Sequence, residues 1–392
     1  MTDDLLRYLT HDAIVGILAF QTVVLLIVLS NAAVLLRPGR GRAAGATPLV
    51  SLLVPARNEA ANVRVCVRSL LTQTYGRLEV VVLDDRSDDD TGAILEQERT
   101  RDSRLVVLTG EEPPPGWTGK NWACHQLALA ARGDVLLFAD ADTDFFDPNA
   151  VSGIVGALQS SRADLLSGLP KQVLGTVGET LVVPMFYWAF FCFTPLAAGL
   201  VWRRAVFARA VGQLMAFRRE AYDAVGGHAA IRGSVVDDLS LARRIAAAGL
   251  ACRIMDATGI VRCRMYRSGR EAVAGFGRNL FAAFGYAVIP YAFVWGWLGF
   301  VHVEPIAVWA LHVAMPARVP AEPLLLGATV TLALVTWVVT YARLRLPTWP
   351  AMIYPVTILV FLLVAVRSFI VVVSDRAAWK GRAVARPPTR WL

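Results

Sequence analysis

Between Ala13 and Leu36 the chain carries no charged residue. At about 1.5 Å per residue, a helix over that stretch crosses a hydrocarbon core about 30 Å thick. This one feature excludes an ordinary soluble fold for the whole chain. The composition agrees: 56% of the 392 residues are hydrophobic and only 18% are charged, too apolar for a soluble domain of this length. Asp3, Asp4 and Asp12 precede the segment, while Arg37, Arg40 and Arg42 follow it. That is the reverse of a cleaved leader and places the C-terminal end of the helix in the cytoplasm.

Three more apolar stretches, Phe281–Phe300, Pro323–Tyr341 and Ala351–Val373, make the last hundred residues mostly membrane. Three simple crossings would leave the basic tail, with Arg376, Lys380, Arg382, Arg386 and Arg390, outside. Glu304 and Pro305 interrupt the run after the first stretch, so Ile306–Met315 is read as a short extra or re-entrant segment. This returns the tail to the cytoplasm but leaves Arg343 and Arg345 on the other side. The net charge of +8 is not gathered into one long basic run interleaved with aromatics, so the expected partner is the bilayer and not nucleic acid. Five cysteines without CxxC spacing indicate neither a zinc site nor a disulfide framework.

The expected organisation is an anchor and linker over 1–47, a cytoplasmic domain over 48–280, a membrane region over 281–375 and a basic tail over 376–392. In the middle domain, Leu49–Val54, Glu79–Leu83, Leu105–Leu108 and Val135–Phe138 read as buried strands. Ala60–Leu71, Thr91–Thr100 and Asn121–Ala131 read as the helices between them. This alternation predicts an α/β fold, a mostly parallel Rossmann-like sheet with its ligand site at the carboxyl ends of the strands.

Polar clusters follow three of those strands: Pro55-Ala56-Arg57-Asn58-Glu59, Asp84-Asp85-Arg86-Ser87 and Asp140-Ala141-Asp142. Any one acidic pair after a strand serves as readily as a turn former or helix cap. Three on one edge suit a nucleotide and a metal better. Asp140 and Asp142 offer hard oxygen ligands to Mg2+ or Mn2+, which bridges diphosphate oxygens. Asp84 or Asp85 can accept from a base or ribose, and Lys120 suits phosphates or ribose as a point charge. Neither a P-loop nor a G-x-G-x-x-G fingerprint is present. Asp237 and Asp238 precede a helical pattern, where capping is the plain alternative to a general base.

In this order the motifs resemble those of the inverting family 2 glycosyltransferases with the GT-A fold. The similarity runs from Leu49 to Gly285 and includes Gly119-Lys120 and Gly226-Gly227. It implies that Pro55, Arg57, Glu59, Asp84, Asp85, Lys120 and Asp140 bind a nucleotide sugar, most often a uridine diphosphate sugar. It further implies that Asp142 with Asp140 holds Mg2+ or Mn2+, and that Asp238, beside Asp237, is the catalytic base. Pro114 to Ala123 and Ala230 to Gly233 are similar to hopanoid-associated glycosyltransferases. Met265 to Gly269, Gly275 to Asn279 and Trp379 to Arg382 resemble carotenoid-acid glycosyltransferases of the staphyloxanthin type.

The resemblance implies a multi-pass enzyme of the inner membrane that transfers one sugar to a terpenoid-like lipid. The aromatic stretch Glu179–Leu200, broken by Pro184 and Pro195, is either an interfacial path for that lipid or a buried helix. Three other readings remain: a polyprenyl-phosphate sugar transferase, a processive polysaccharide synthase, for which the Gln-x-x-Arg-Trp motif is missing, and a membrane scaffold with an inactive GT-A domain.

Overall fold

A computed structural model of the chain describes residues 11–38, 47–316, 319, 322–374, 378–379, 382–383 and 389–391. Asp3, Asp4, Arg40, Arg42, Arg376, Lys380 and Arg386 lie outside the described residues.

The domain between the apolar ends of the chain is built on a seven-stranded sheet in the order β3-β2-β1-β4-β8-β6-β9. Its strands are β1 (Val50–Ala56), β2 (Leu78–Asp84), β3 (Leu105–Thr109), β4 (Val135–Ala139), β6 (Leu165–Leu169), β8 (Leu214–Arg218) and β9 (Cys252–Asp256). β3, β2, β1 and β4 are parallel, as are β6 and β9, but β8 runs antiparallel between β4 and β6. The sheet is therefore mixed. The central strands are continuous apolar runs because both faces are covered. One face packs on α2 (Val63–Leu71) and α5 (Ala150–Ser160), the other on α4 (Gly119–Ala130) and α9 (Asp237–Ala247). α3 (Thr91–Arg101) follows β2. A small sheet of β5 (Thr143–Asp144), β10 (Arg262–Cys263) and β7 (Lys171–Gln172) closes over the carboxyl end of β4.

Among the described residues four helices are long and apolar enough to cross a membrane: α1 (Ala13–Val34), α11 (Val288–Ala314), α12 (Pro323–Arg343) and α14 (Tyr354–Val373). α11 is a single helix through Glu304 and Pro305, so Ile306–Met315 is not a separate re-entrant segment. Proline removes one hydrogen bond from an apolar helix, which neighbouring helices tolerate.

The direction of each helix follows from its contacts. His11 and Glu322 pair at 3.2 Å at the far end, while Leu36 accepts from Asp256 N and Arg343 pairs with the Asp256 carboxylate at the domain end. α1 and α12 therefore both run toward the domain, and α11 runs away from it. α14 runs back along α11. Its Tyr354 lies 5.9 Å from the His302 ring, Phe361 lies 5.4 Å from Trp295, and Ala365 O accepts from Tyr291 Oη at 2.8 Å. The chain between α12 and α14, including the short α13 (Trp349–Met352), steps back to the depth of His302. Arg343, Arg345 and the 389–391 segment consequently all lie on the domain's side, with Val288 N donating to Arg390 O.

Glu179–Leu200 forms two elements. α6 (Val177–Phe193) continues through Pro184 and is buried against α1, α12, α14 and α10 (Gly269–Ala283). Pro195 separates it from the short α7 (Leu196–Val201). Trp188 stacks on Trp337 at 4.3 Å. Asn31 of α1 donates to Phe191 O and Thr194 O, both at 2.7 Å, and accepts from Leu196 N at 2.9 Å. It thereby satisfies the carbonyls that a helix end leaves open.

Candidate active site

Each polar cluster begins where a strand stops. β1 pairs with β4 only over Val50–Leu53, so Pro55 stands past that ladder, where its missing N–H costs no bond to β4. The loops after β1 and β2 lock together through their own polar groups. Asn58 N donates to Ser87 Oγ at 3.0 Å, Asp88 N donates to Asn58 Oδ1 at 2.8 Å, and Glu59 N donates to Thr91 Oγ1 at 2.8 Å. Asn58 and Arg86 both take positive φ, 51° and 57°. The Arg57 guanidinium donates to Asp85 O and Arg86 O at 2.6 and 2.8 Å and pairs with Asp88. It braces the loops.

Asp84 Oδ1 accepts from Ser87 N at 3.1 Å and Ser87 Oγ at 2.6 Å. A Cβ added at Gly92 would stand 2.8 Å from Asp84 Oδ2, so the start of α3 must be bare there. Asp84 is partly exposed and Asp85 is buried. This favours Asp84 as the acidic group open to a ligand.

Lys120 joins the two halves of the cleft. Its Nζ lies 3.0 Å from Asp140 Oδ1 and 3.3 Å from Asp237 Oδ2. Burial disfavours its charge, yet Asp140 and Asp237 raise its pKa well above the ordinary lysine value. Burial likewise opposes the Asp237 carboxylate, but Lys120 and then His228 outweigh it and hold that carboxyl below its usual value. His228 is buried against Tyr222 Oη at 2.7 Å, and burial pushes it down to about 4, so it is neutral at pH 7.

Two carboxyls go the other way. Burial, then Asp140 and Glu59, push Asp142 up to about 7. Burial and then Asp237 push Asp238 up to about 7. Asp238 accepts from Gly212 N at 3.0 Å and from Leu239 N at 2.7 Å. A Cβ on Gly212 would come within 3.3 Å of Lys120 Nζ, tight by a few tenths of an ångström, and 3.6 Å of Asp238 Oδ2, so a larger side chain there crowds both.

Several supporting residues escaped the sequence reading. Asn121 Nδ2 donates to Ile231 O, Arg232 O and Ser234 O at 2.9 to 3.1 Å, tying the start of α4 to the loop that delivers Asp237 and Asp238. Cys263 Sγ donates to Asp142 Oδ1 at 3.3 Å, and Gln213 Nε2 to Cys263 Sγ at 3.0 Å. The only signal for Asn121 was its place after Gly119-Lys120.

Residues 51–226 match the family model described as glycosyl transferase family 2. Over that segment, which is less than half of its length, the chain is similar to the family 2 glycosyltransferases. It is 27% identical over 237 residues to the 4,4'-diaponeurosporenoate glycosyltransferase of Staphylococcus haemolyticus, which is 60% of this chain and 61% of that protein. It is 28% identical over 183 residues to the probable glycosyltransferase YdaM of Bacillus subtilis, 46% of this chain and 43% of that protein. The alignments thus span less than two thirds of these relatives. The mannosyltransferase PcManGT from Pyrobaculum calidifontis, solved in complex with GDP-Man and Mn2+, is 20% identical with a TM-score of 0.55. That match covers 93% of this chain and 99% of the other. The shared fold is the GT-A fold with flanking helices, and the clustered carboxylates stand at its sheet edge.

Proposed function

We propose that this protein is a membrane-bound, metal-dependent inverting glycosyltransferase that moves one sugar from a nucleotide diphosphate sugar to a lipid acceptor. The observation that carries this reading is the array Asp140–Lys120–Asp237 with Asp238 adjoining, which gathers strand-end carboxylates and a partly buried, proton-avid carboxylate into one cleft. Glu59 and Asp84 are assigned to the nucleoside, and Lys120 is assigned to fixing the two halves of the cleft and lending charge near the phosphates.

The acceptor oxygen attacks the anomeric carbon as the bond to the diphosphate breaks. Asp238 takes the acceptor proton, and its pKa near 7 suits that work at neutral pH. Asp142 and Asp140 suit a divalent cation, since their mutual repulsion with Glu59 is what a cation relieves. Among the described residues no three His, Cys, Asp or Glu side chains gather to hold a metal alone. This fits an ion held by one or two carboxylates together with substrate phosphates. When bound, Mg2+ or Mn2+ would neutralise charge on the departing nucleotide diphosphate.

The lipid acceptor draws support from the carotenoid-acid relative and from the four candidate spans. Arg343, Arg345 and Arg390 at the domain end of those spans support, by the positive-inside rule, a domain on the cytoplasmic side of the inner membrane. The test is donor turnover by the full-length protein in detergent, with Mg2+ or Mn2+, a panel of nucleotide sugars and total membrane lipid. Asp142→Ala and Asp238→Asn are compared with wild type. One metal-dependent glycolipid, lost in both variants, is expected. Activity that survives Asp238→Asn indicates an acceptor already ionised, such as a lipid carboxylate, and absence of turnover with every donor overturns the reading.

A further inference from the structure

A second concave feature lies away from the carboxylate cluster, where α1 leaves the apolar layer. The cleft opens to solvent between the end of α1 (Val34, Leu36), α7 and the loop that follows it. Its composition is unusual. Arg203, Arg204, Arg209 and Arg253 all line it. Elsewhere in the domain some guanidinium groups meet carboxylates, as Arg64, Arg68 and Arg101 do on Glu98, whereas Arg77, Arg218, Arg219 and Arg244 bond backbone carbonyls; the cleft differs in gathering four arginines. Among the described residues none of the four cleft arginines has a carboxylate within ion-pair distance.

Their bonds go to backbone carbonyls. Arg203 donates to Gly249 O at 3.1 Å, Arg209 to Val206 O and Ala208 O at 2.9 Å, and Arg253 to Cys252 O at 3.0 Å. Burial and then Arg243 lower the Arg209 pKa, and burial and then Arg203 lower that of Arg253. Asp164 only partly opposes the latter. Arg203 thus repels Arg253 within the cleft, while the like-charged neighbour of Arg209 is Arg243, outside it.

Beside them the chain exposes a contiguous apolar edge: Leu200 at 39%, Val201 at 74%, Trp202 at 56% and Val206 at 63%. An apolar edge with a tryptophan, next to the end of a membrane-length helix and rimmed by arginine, has the chemistry of the bilayer interface. Guanidinium forks match phosphate oxygens bidentately.

We propose that this cleft binds the headgroup of an anionic phospholipid, its phosphate among Arg203, Arg209 and Arg253 and its acyl chains along Leu200, Val201 and Trp202. The site shares no residue with the carboxylate cluster and depends only on α1 spanning the bilayer. Arg209 lies three residues before Gly212, whose N–H holds Asp238. A bound lipid therefore steadies the segment that positions the candidate base.

The test uses the full-length protein in neutral detergent. Native mass spectrometry reads retention of added phosphatidylglycerol against phosphatidylcholine, and melting midpoints are taken with each lipid and with inorganic phosphate alone. Wild type should retain phosphatidylglycerol at least tenfold over phosphatidylcholine and be stabilised by it selectively. Combined Arg203→Gln, Arg209→Gln and Arg253→Gln should abolish that preference, while the corresponding three Arg→Lys changes should keep most of it. Should the glutamine variant fail to fold, the wild-type lipid preference and the lysine variant decide. Equal retention of the two lipids by wild type, or a glutamine variant that still prefers phosphatidylglycerol, overturns the proposal. Stabilisation by inorganic phosphate equal to that by the lipid overturns the assignment to a lipid.

Discussion

Replacing Asp238 by Asn separates the cost of a buried charge from its use. Asp238 has a folded pKa of about 7 against an ordinary 3.8, so between those values the folded state binds more protons than the unfolded chain. Stability therefore falls as pH rises through roughly pH 4 to 7 and levels off above. At about 1.4 kcal/mol per pH unit the full penalty would be about 4 kcal/mol, and solvent at the partly open cleft screens this to about 2 kcal/mol. Asn also loses one of the two acceptor roles toward Gly212 N and Leu239 N, at about 1 kcal/mol. That loss does not vary with pH. The change in melting midpoint between pH 4.5 and pH 8.5 consequently isolates the charge. At about 2–4 °C per kcal/mol for a domain of this size, wild type should lose roughly 4–8 °C more than Asp238→Asn over that interval. Transfer to a hydroxyl acceptor by wild type should rise through about pH 7 and be lost in the variant. Equal pH dependence of the two melting points would refute the buried-charge assignment.

Lys120→Met leaves Asp140 and Asp237 facing each other without the shared ammonium. Transfer should fall by about 100-fold or more, with the variant melting lower at pH 8 than at pH 5. Gly212→Val should fold but lose most turnover, because its side chain crowds Lys120 and Asp238; donor binding by calorimetry should change less than turnover. Asn31→Leu strands two carbonyls and one N–H where α6 ends, and the melting midpoint in detergent should reflect a loss of about 2–3 kcal/mol. Tyr187→Phe removes a hydroxyl that accepts from Gln172 Nε2 and donates to Gln213 Oε1, both at 2.6 Å. It should weaken the apparent Mn2+ or Mg2+ dependence of transfer by about 10-fold.

What the sequence disclosed, and what it hid, divides by range. β1, β2, β3 and β4 end within two residues of where their apolar runs end, because a strand buried on both faces is written as an unbroken run. The acidic pairs were visible as candidate sites because they abut those runs. β8 went unread: Leu214–Arg218 is short, and its antiparallel place between β4 and β6 is decided by pairing with residues about 50 to 80 positions away. The direction of α14 was equally hidden, since hydropathy reports the length of an apolar helix and not its sense. Glu304 and Pro305 looked like a break, although an apolar helix absorbs one proline without ending. Asn121, Gly212 and Gln213 act on partners 26 to 113 residues distant, which no local pattern announces.

α6 links the membrane-length helices, which it meets by ring stacking, to the candidate metal carboxylate, which it reaches through a buried chain of hydrogen bonds. α6 carries Trp188 against Trp337 of α12 and, one residue earlier, Tyr187 into the domain. Tyr187 holds Gln213, Gln213 donates to Cys263, and Cys263 donates to Asp142 Oδ1. Gln213 O also accepts from Asp140 N at 3.4 Å, so the same residue steadies both carboxylates of the Asp140-x-Asp142 pair. Every member from Tyr187 to Cys263 is buried. In such surroundings a partly satisfied chain is costly and a complete one is rigid. Displacing α6 relative to α12 and α14 therefore moves Tyr187 first and Asp142 with it. Seating of the helices in the apolar layer thus sets the geometry of the two candidate metal carboxylates, and a soluble fragment cut after Leu36 and before Phe281 would lose that support even with every candidate catalytic residue present.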